Sequence, residues 1–287
     1  MIKFLLKLSF IYLISSHFFG TKQIKALVPP YYTPSRNNLK TEGLNIGKTA
    51  YQLLQFGQLK ESLNLAKLAI KINKSDVNLW LILSEAQIAN EYFDNALISL
   101  KKAEEINPNK SEIYFAKSSI YLKKLKLKDA KISLSSGLKI SPKNYKALFQ
   151  LGNIFLMEKN YFSAIEYFER SIIIKKDFWQ AINNKGLAYF EKDDINLSIF
   201  FFKQAISISK NAEPILGLAS CVMKDDINEA LKLAKQALSE NPNYVDFKYR
   251  EEQLWGEKLQ KRTKKLLENE EIKNEVALAK LKINKTY

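Results

Sequence analysis

The feature of the sequence that most constrains its fold is a repeat of 34 residues that runs through most of the chain. Six successive units begin at Gly43, Val77, Ser111, Tyr145, Trp179 and Glu213. The eighth, twentieth and twenty-seventh positions of every unit hold glycine, alanine or serine, once a loss of two residues is placed in the inner turn of the last unit. Two antiparallel helices need such small side chains where they cross closely. The period therefore predicts stacked units of two helices each.

Large and helix-stopping residues complete the pattern. In most units the fourth, eleventh and twenty-fourth positions carry bulky side chains, which fill the space around the small residues. These bulky residues include Trp80, Tyr114, Leu148, Ile182, Tyr121, Phe155, Tyr189, Leu100, Leu134, Phe168 and Phe202. Pro108, Pro142 and Pro242 stand at the thirty-second position, where proline ends the second helix of a unit.

These positions resemble the tetratricopeptide repeat (TPR) family. The resemblance is most complete in Leu151, Gly152, Phe155, Ala164, Phe168 and Ser171. It covers about residues 43–244 and implies an all-α fold, a right-handed superhelical solenoid of about six helix-turn-helix repeats. The predicted units are 43–76, 77–110, 111–144, 145–178, 179–212 and 213–244. The resemblance further implies a scaffold that holds a protein or peptide, and not an enzyme.

The repeat pattern ends at Val245, and the last segment, 245–287, is predicted to cap the solenoid. Apolar residues recur there at roughly helical spacing among charged ones, and a terminal repeat needs a partner for its open apolar face. We expect one long capping helix from Val245 to Lys282, kinked or broken near Glu268–Glu271. A partner-binding amphipathic helix is the alternative interpretation of this segment.

The first residues have the layout of a secretory signal peptide. Lys3 and Lys7 precede an apolar stretch of about thirteen residues, and Ile24 and Ala26 suit a cleavage site. A membrane-spanning helix needs roughly 20 residues, so an uncleaved anchor, with membrane association through residues 1–26, is the alternative. Residues 27–42 contain three prolines and are predicted to form an extended tether.

Two short stretches resemble exported tetratricopeptide proteins of cyanobacteria and of the plastid lumen. They are Ala26-Leu27-Val28-Pro29 with Gly47–Leu54, and Asn241-Pro242-Asn243-Tyr244 with Gln253-Leu254-Trp255-Gly256. The resemblance implies a periplasmic or thylakoid-lumen location and a part in the assembly of photosynthetic membrane complexes.

Composition argues against several other classes of function. The net charge is +15, but only four of the 45 cations are arginine, the residue best suited to bidentate phosphate and base contacts, so we expect no nucleic-acid partner. Cys221 is the single cysteine and His17, inside the predicted signal, is the single histidine. No phosphate-binding glycine motif occurs, and Asp193-Asp194 and Asp225-Asp226 fall in predicted turns. We expect no catalytic residue, metal or cofactor.

The candidate site is the concave groove lined by the first helix of each unit. Many groove-facing residues are large and apolar, which is typical of a partner surface. The predicted peptide-binding residues are Tyr51, Glu85, Phe115, Phe149, Asn153, Asn183, Asn184, Leu187 and Phe190. Asn153 and Asn184 resemble the asparagine pair with which peptide-clamping members hold a ligand backbone. The cations that bind a terminal carboxylate in those members are absent, since Phe149, Pro214 and Leu218 stand there.

Two functions follow from these patterns. The first is an exported scaffold that binds an unidentified protein or peptide segment in the groove. The second is a membrane-tethered structural component that works through its capping helix.

Overall fold

The computed structural model describes residues 35–284, which form fifteen α-helices, two short 3₁₀ turns and no strand. Twelve helices form six antiparallel pairs: α1 Arg36–Gln55, α2 Leu59–Ile72, α3 Val77–Ala89, α4 Phe93–Ile106, α5 Ser111–Lys123, α6 Leu127–Ile140, α7 Tyr145–Met157, α8 Tyr161–Ile174, α9 Trp179–Glu191, α10 Ile195–Ile208, α11 Ala212–Val222 and α12 Ile227–Glu240. Three follow: α13 Phe247–Glu252, α14 Glu257–Leu267 and α15 Lys273–Asn284. The predicted all-α solenoid of six helix pairs is confirmed.

Small residues create the close approach within each pair, as their spacing predicts. All the glycines, alanines and serines at the eighth, twentieth and twenty-seventh positions are buried. Where α7 and α8 cross, a Cβ added to Gly152 would lie 2.5 Å from the ring of Phe168, which is fully buried. Ser62 and Ser198 also donate hydrogen bonds across their pairs, Ser62 to the Ala50 carbonyl at 2.7 Å. The crossings are therefore fixed by both shape and hydrogen bonding.

The turn inside each of the first five pairs has one recurring geometry. The fifteenth residue of each unit adopts a left-handed conformation, with φ between 54° and 75°. These residues are Gly57, Glu91, Leu125, Lys159 and Asp193. In the second unit, Tyr92 N–H bonds to the Gln87 carbonyl at 2.8 Å and Glu91 N–H to the Ile88 carbonyl at 3.0 Å. This arrangement satisfies carbonyls at the end of the first helix and reverses the chain.

The tether prediction for residues 27–42 is wrong in its last part. Helix α1 begins at Arg36, seven residues before the first predicted unit. Ser35 caps this helix, because its side chain accepts a hydrogen bond from the Asn38 N–H at 3.2 Å. Residues 1–34, with the predicted signal and the rest of the tether, lie outside the described residues.

The single capping helix predicted for residues 245–282 is also wrong, because the segment is divided into α13, α14 and α15. The break before α14 has a structural cause: Leu254 has φ 66°, and a Cβ on Gly256 would lie 2.2 Å from Glu191 Cδ. The break predicted near Glu268–Glu271 is present, since α14 ends at Leu267 and α15 begins at Lys273.

The two main C-terminal helices close the last units from different sides. Helix α14 packs against α9 and α11, the inner helices of the fifth and sixth pairs. Helix α15 packs against α12 and the turn Pro242–Val245. Leu259 and Leu266 of α14 and Ala279 of α15 join the core of the last three units, as does Ile272 in the 3₁₀ turn between the two helices. Among residues 35–284, none of the helices has the length and apolar character needed to cross a membrane.

Candidate functional site

The concave side of the solenoid is open over its first four units. A cavity of about 680 Å³ lies there, bounded by the inner helices α1, α3, α5 and α7. Its wall is largely apolar and includes Leu54, Ile88, Phe115 and Ala116, with Glu85, Glu112 and Lys146 as its charged groups. A second cavity of about 470 Å³ toward the first unit shares Glu85 and Glu112 with it. We call this continuous surface, from Leu44 to Gln150, the open groove.

Three of the predicted peptide-binding residues line the open groove, namely Tyr51, Glu85 and Phe115. Tyr51 is 43% exposed, and Glu85 is also accessible. Phe115 is half-buried because its ring packs against Gly137 of the outer helix α6. Leu54 and Ile88 also line the open groove but are not among the predicted site residues, although both stand at the groove-facing twelfth position of their units.

Phe149 and Asn153 lie where the open groove ends, and both are half-buried. The ring of Phe149 makes an edge contact with Phe178, with 5.0 Å between ring centroids, and packs against Phe168. Phe149 therefore belongs to the packing of the fourth unit.

The remaining four predicted residues, Asn183, Asn184, Leu187 and Phe190, are buried. The expectation that they form an open surface is wrong, because α14 packs against α9, the helix that carries all four. Arg262 of α14 stacks over the ring of Phe190, with 4.7 Å between the guanidinium carbon and the ring centroid. Thr263 Oγ1 is 2.7 Å from Ser220 Oγ of α11. The chain itself thus fills the groove of its fifth and sixth units, which we call the closed groove.

The asparagines that resembled a peptide clamp bond to one another. Asn184 Nδ2 donates to Asn153 Oδ1 at 2.8 Å, and Asn183 Nδ2 donates to Asn184 Oδ1 at 3.1 Å. This ladder links α7 to α9 and leaves the Asn184 amide engaged within the protein. Its position makes it a structural link between units in this conformation.

Carboxylates of the closed groove receive donors from the C-terminal segment. Glu191 accepts hydrogen bonds from the backbone N–H groups of Lys258 at 3.3 Å and Leu259 at 3.0 Å, at the start of α14. A carboxylate at a helix N-terminus satisfies orphan donors and interacts favourably with the helix dipole. Burial nevertheless raises the pKa of Glu191, and this effect is larger than the lowering effect of the two bonds.

Glu213 is the second buried carboxyl of the closed groove. Its Oε1 accepts a hydrogen bond from Trp255 Nε1 at 3.3 Å, and Asn183 and Tyr244 also bond to this side chain. Burial raises the pKa of Glu213 from 4.5 to about 7, although the three bonds act in the opposite direction. Asn183 Oδ1 is a buried acceptor without a partner among the described residues. A protonated Glu213 has an O–H to donate, and Asn183 is the neighbour that lacks a donor.

Glu85 has a different environment. It lies between the two cavities of the open groove and has no hydrogen-bond or ion-pair partner among residues 35–284. Its accessible side chain is flanked by apolar groove walls, and this partial removal from water raises its pKa. The open groove therefore presents an unpaired carboxyl among apolar residues.

Of the groups that could in principle act in catalysis, the cysteine is buried and one aspartate of each pair caps a helix. Burial raises the pKa of the Cys221 thiol to about 12, which disfavours the reactive thiolate. Asp194 and Asp226 cap α10 and α12 by accepting bonds from the Leu197 and Glu229 N–H groups. The part of the chain from Ser35 to Asn284 holds no group of three or more side chains able to bind a metal.

The repeats belong to a known class. The tetratricopeptide repeat pattern matches residues 77–110 and 180–211, which are the second unit and nearly all of the fifth. The chain therefore contains tetratricopeptide repeats, and its described part is a tetratricopeptide solenoid. This fold is typically an interaction scaffold and not a catalyst.

Solved structures share the fold at low sequence identity. A tetratricopeptide repeat protein from Parabacteroides merdae has a TM-score of 0.61 and 18% identity, over 83% of this chain and 99% of that chain. The MamA protein has a TM-score of 0.53 and 22% identity, over 61% and 93% of the two chains. YrrB, a TPR protein described as having an unusual peptide-binding site, has a TM-score of 0.54 and 18% identity, over 63% and 94%. No curated protein sequence matches the chain significantly.

Proposed function

We propose that the protein is an exported scaffold that holds a segment of another protein in its open groove. The observation that carries this proposal is the contrast between the two halves of one concave surface. The closed groove is filled by α14, whereas the open groove keeps about 680 Å³ of largely apolar space on four successive inner helices. Exposed apolar surface of this kind usually marks an interaction site. The peptide-binding site named for YrrB supports the same use of the fold.

The alternative, a structural component that acts through its capping helix, receives less support from the contacts. The apolar side chains of α14 that would meet a partner, Leu259 and Leu266, are fully buried against the solenoid. An interaction through α14 would first require the helix to leave the closed groove.

Site-specific photocrosslinking tests the groove directly. The photoreactive residue p-benzoylphenylalanine replaces Glu112, which is exposed and lines both cavities, or Ser135, which is exposed on the outer helix α6. Irradiation of native cells is expected to give a covalent adduct from position 112 and none from position 135. A Ser119→Trp change, which adds bulk to the groove wall, is expected to abolish the adduct, whereas Ser135→Trp leaves it unchanged. Equal adducts from both positions, or none from either, would refute the groove as the site.

Export is part of the proposal and rests on the N-terminal sequence pattern. Mass spectrometry of the purified protein is expected to find a mature chain that begins near Leu27, in the periplasm or thylakoid lumen. An intact Met1 in a cytoplasmic fraction would contradict it, and an intact Met1 in membranes would favour the anchor. In a photosynthetic host, we expect the partner crosslinked from position 112 to belong to a photosynthetic membrane complex, and a partner from any other assembly would remove that assignment.

A further inference from the structure

The chain's own helix α14, packed in the closed groove, shows that the concave surface can bind an α-helix. Helix α14 is amphipathic: Leu259, Thr263 and Leu266 face the solenoid, while Lys261 and Lys264 remain exposed. It lies across α9 and α11, as a bound partner helix would lie across two inner helices. The open groove is built from the same kind of inner helices at the same repeat spacing, so its shape suits a helix.

The repeat relates particular positions of the two halves. Arg262 stacks on Phe190, the twelfth residue of the fifth unit. It also lies near Cys221, the ninth residue of the sixth unit: burial raises the pKa of that thiol, and the Arg262 charge is close enough to oppose the rise weakly. Four units earlier, the twelfth residue of the first unit is Leu54 and the ninth of the second is Glu85. Leu54 and Glu85 line the same 680 Å³ cavity. If a partner helix docked in the open groove in the way that α14 docks in the closed groove, its residue equivalent to Arg262 would lie beside Glu85.

The carboxyls of the closed groove, at other positions of the repeat, show how acidic side chains on this surface are satisfied. Glu191 and Glu213 both receive N–H donors from the C-terminal segment. Glu85 has no donor from any described residue, although apolar surroundings make an unpaired carboxylate costly. An ion pair in such partly desolvated surroundings is stronger than one in open water.

We propose that the open groove takes an amphipathic α-helix of a partner, with a lysine or arginine near the centre of its docking face that pairs with Glu85. This inference rests on the proposed function and specifies the chemistry of the partner. The chain's charge of +15 opposes a basic ligand at long range, but screening at about 0.15 M ionic strength confines that repulsion to roughly 8 Å. Selection of the cation is therefore local, at Glu85.

The probe is a fluorescently labelled peptide with the sequence of residues 256–269, which includes α14 and its cation Arg262. Fluorescence anisotropy measures its binding to the full mature chain at physiological salt. We expect Ser119→Trp to abolish binding, which assigns the probe to the open groove, and Glu85→Gln to weaken it about tenfold, as expected for a hydrogen bond to a charged group. An Arg262→Gln peptide is expected to bind about tenfold more weakly to the parent chain and no more weakly to the Glu85→Gln chain.

Each other outcome separates the two proposals. Binding that is abolished by Ser119→Trp but unaffected by Glu85→Gln would overturn the cation pairing while leaving the groove as the site. Absence of peptide binding, together with a crosslinked partner from position 112, would overturn the helical ligand alone. Binding that survives Ser119→Trp would place the peptide elsewhere and overturn the inference. Glu112→Gln serves as the matched control, because it neutralises a second groove carboxyl, which already accepts a bond from Ser111.

Discussion

Neutralising Glu213 is expected to change how the stability of the C-terminal units depends on pH. The folded chain holds a proton on this carboxyl up to about pH 7, whereas an exposed glutamate in the unfolded chain loses it near 4.5. A carboxyl with a raised pKa contributes its full stability below its unfolded pKa and loses it as pH rises through the folded one. The free energy of unfolding is therefore expected to fall between pH 4.5 and about 7.

The magnitude follows from the two pKa values. The difference between 4.5 and about 7 corresponds to roughly 3 to 4 kcal/mol at about 1.4 kcal/mol per pH unit. Most of this fall, about 2 to 3 kcal/mol, lies between pH 5 and pH 8. Glu213 is 8% exposed, so solvent screening removes little of this effect. Glu213→Gln keeps an acceptor for Trp255 Nε1 without a titrating proton, so the variant is expected to lack this fall.

Urea unfolding followed by tryptophan fluorescence measures the effect, because Trp255 is buried beside Glu213. The stability of Glu213→Gln relative to the parent is expected to increase by about 2 to 3 kcal/mol from pH 5 to pH 8. Glu240→Gln, at the exposed end of α12, is the control and is expected to follow the parent at both pH values. A difference between Glu213→Gln and the parent that stays constant with pH would refute the reasoning.

Three further changes test the packing. Gly152→Ala is expected to destabilise the chain by about 1–3 kcal/mol, because the added Cβ would lie 2.5 Å from its nearest neighbour. Gly186→Ala is expected to cost less, because the corresponding distance there is 3.0 Å. Replacing glycine by alanine usually stabilises a helix, so a gain in thermal stability for Gly152→Ala would contradict the close crossing. Asn184→Ala is expected to cost about 1–3 kcal/mol by breaking the asparagine ladder, with Gln150→Ala in the open groove as a nearly neutral control, and equal melting of both would remove the ladder's structural role. Arg250→Ala removes the hydrogen bonds that Arg250 donates to the Gln260 side chain and to the Tyr244 carbonyl. Hydrogen exchange of the backbone amides in α14 is therefore expected to accelerate at least about tenfold. Unchanged exchange would show that α14 is held without this side chain.

The sequence predicted the solenoid well because its packing is local and periodic. Four helices, α3, α5, α7 and α9, begin at the residues where units were predicted to start. The small residues at the helix crossings are buried because close approach admits nothing larger. Each of these features depends on contacts within one unit or between neighbouring units. Such contacts recur in every unit, so they leave a fixed residue spacing in the sequence.

The closed groove could not be predicted in the same way. Residues 253–267 reach back across two units, and the contact between Glu191 and the start of α14 joins positions 68 residues apart. A contact that occurs once leaves no periodic pattern in the sequence. Two signals were available in retrospect: Gly256 next to Trp255 breaks the helical pattern, and α14 carries a strongly one-sided apolar face. The predicted site residues are therefore accessible only where no later segment covers the inner helices.

The left-handed inner turns have a consequence for how the chain tolerates change. Glutamate, leucine, lysine and aspartate occupy the same left-handed geometry at four turns, and only the first turn uses glycine. A non-glycine residue in this conformation costs roughly 1–2 kcal/mol, so the stacked helices impose the turn against local preference. Replacing any of these four residues by glycine is thus expected to stabilise the fold without changing the concave surface. A designer who needs a tougher scaffold could begin at Leu125, an apolar side chain left 75% exposed at such a turn.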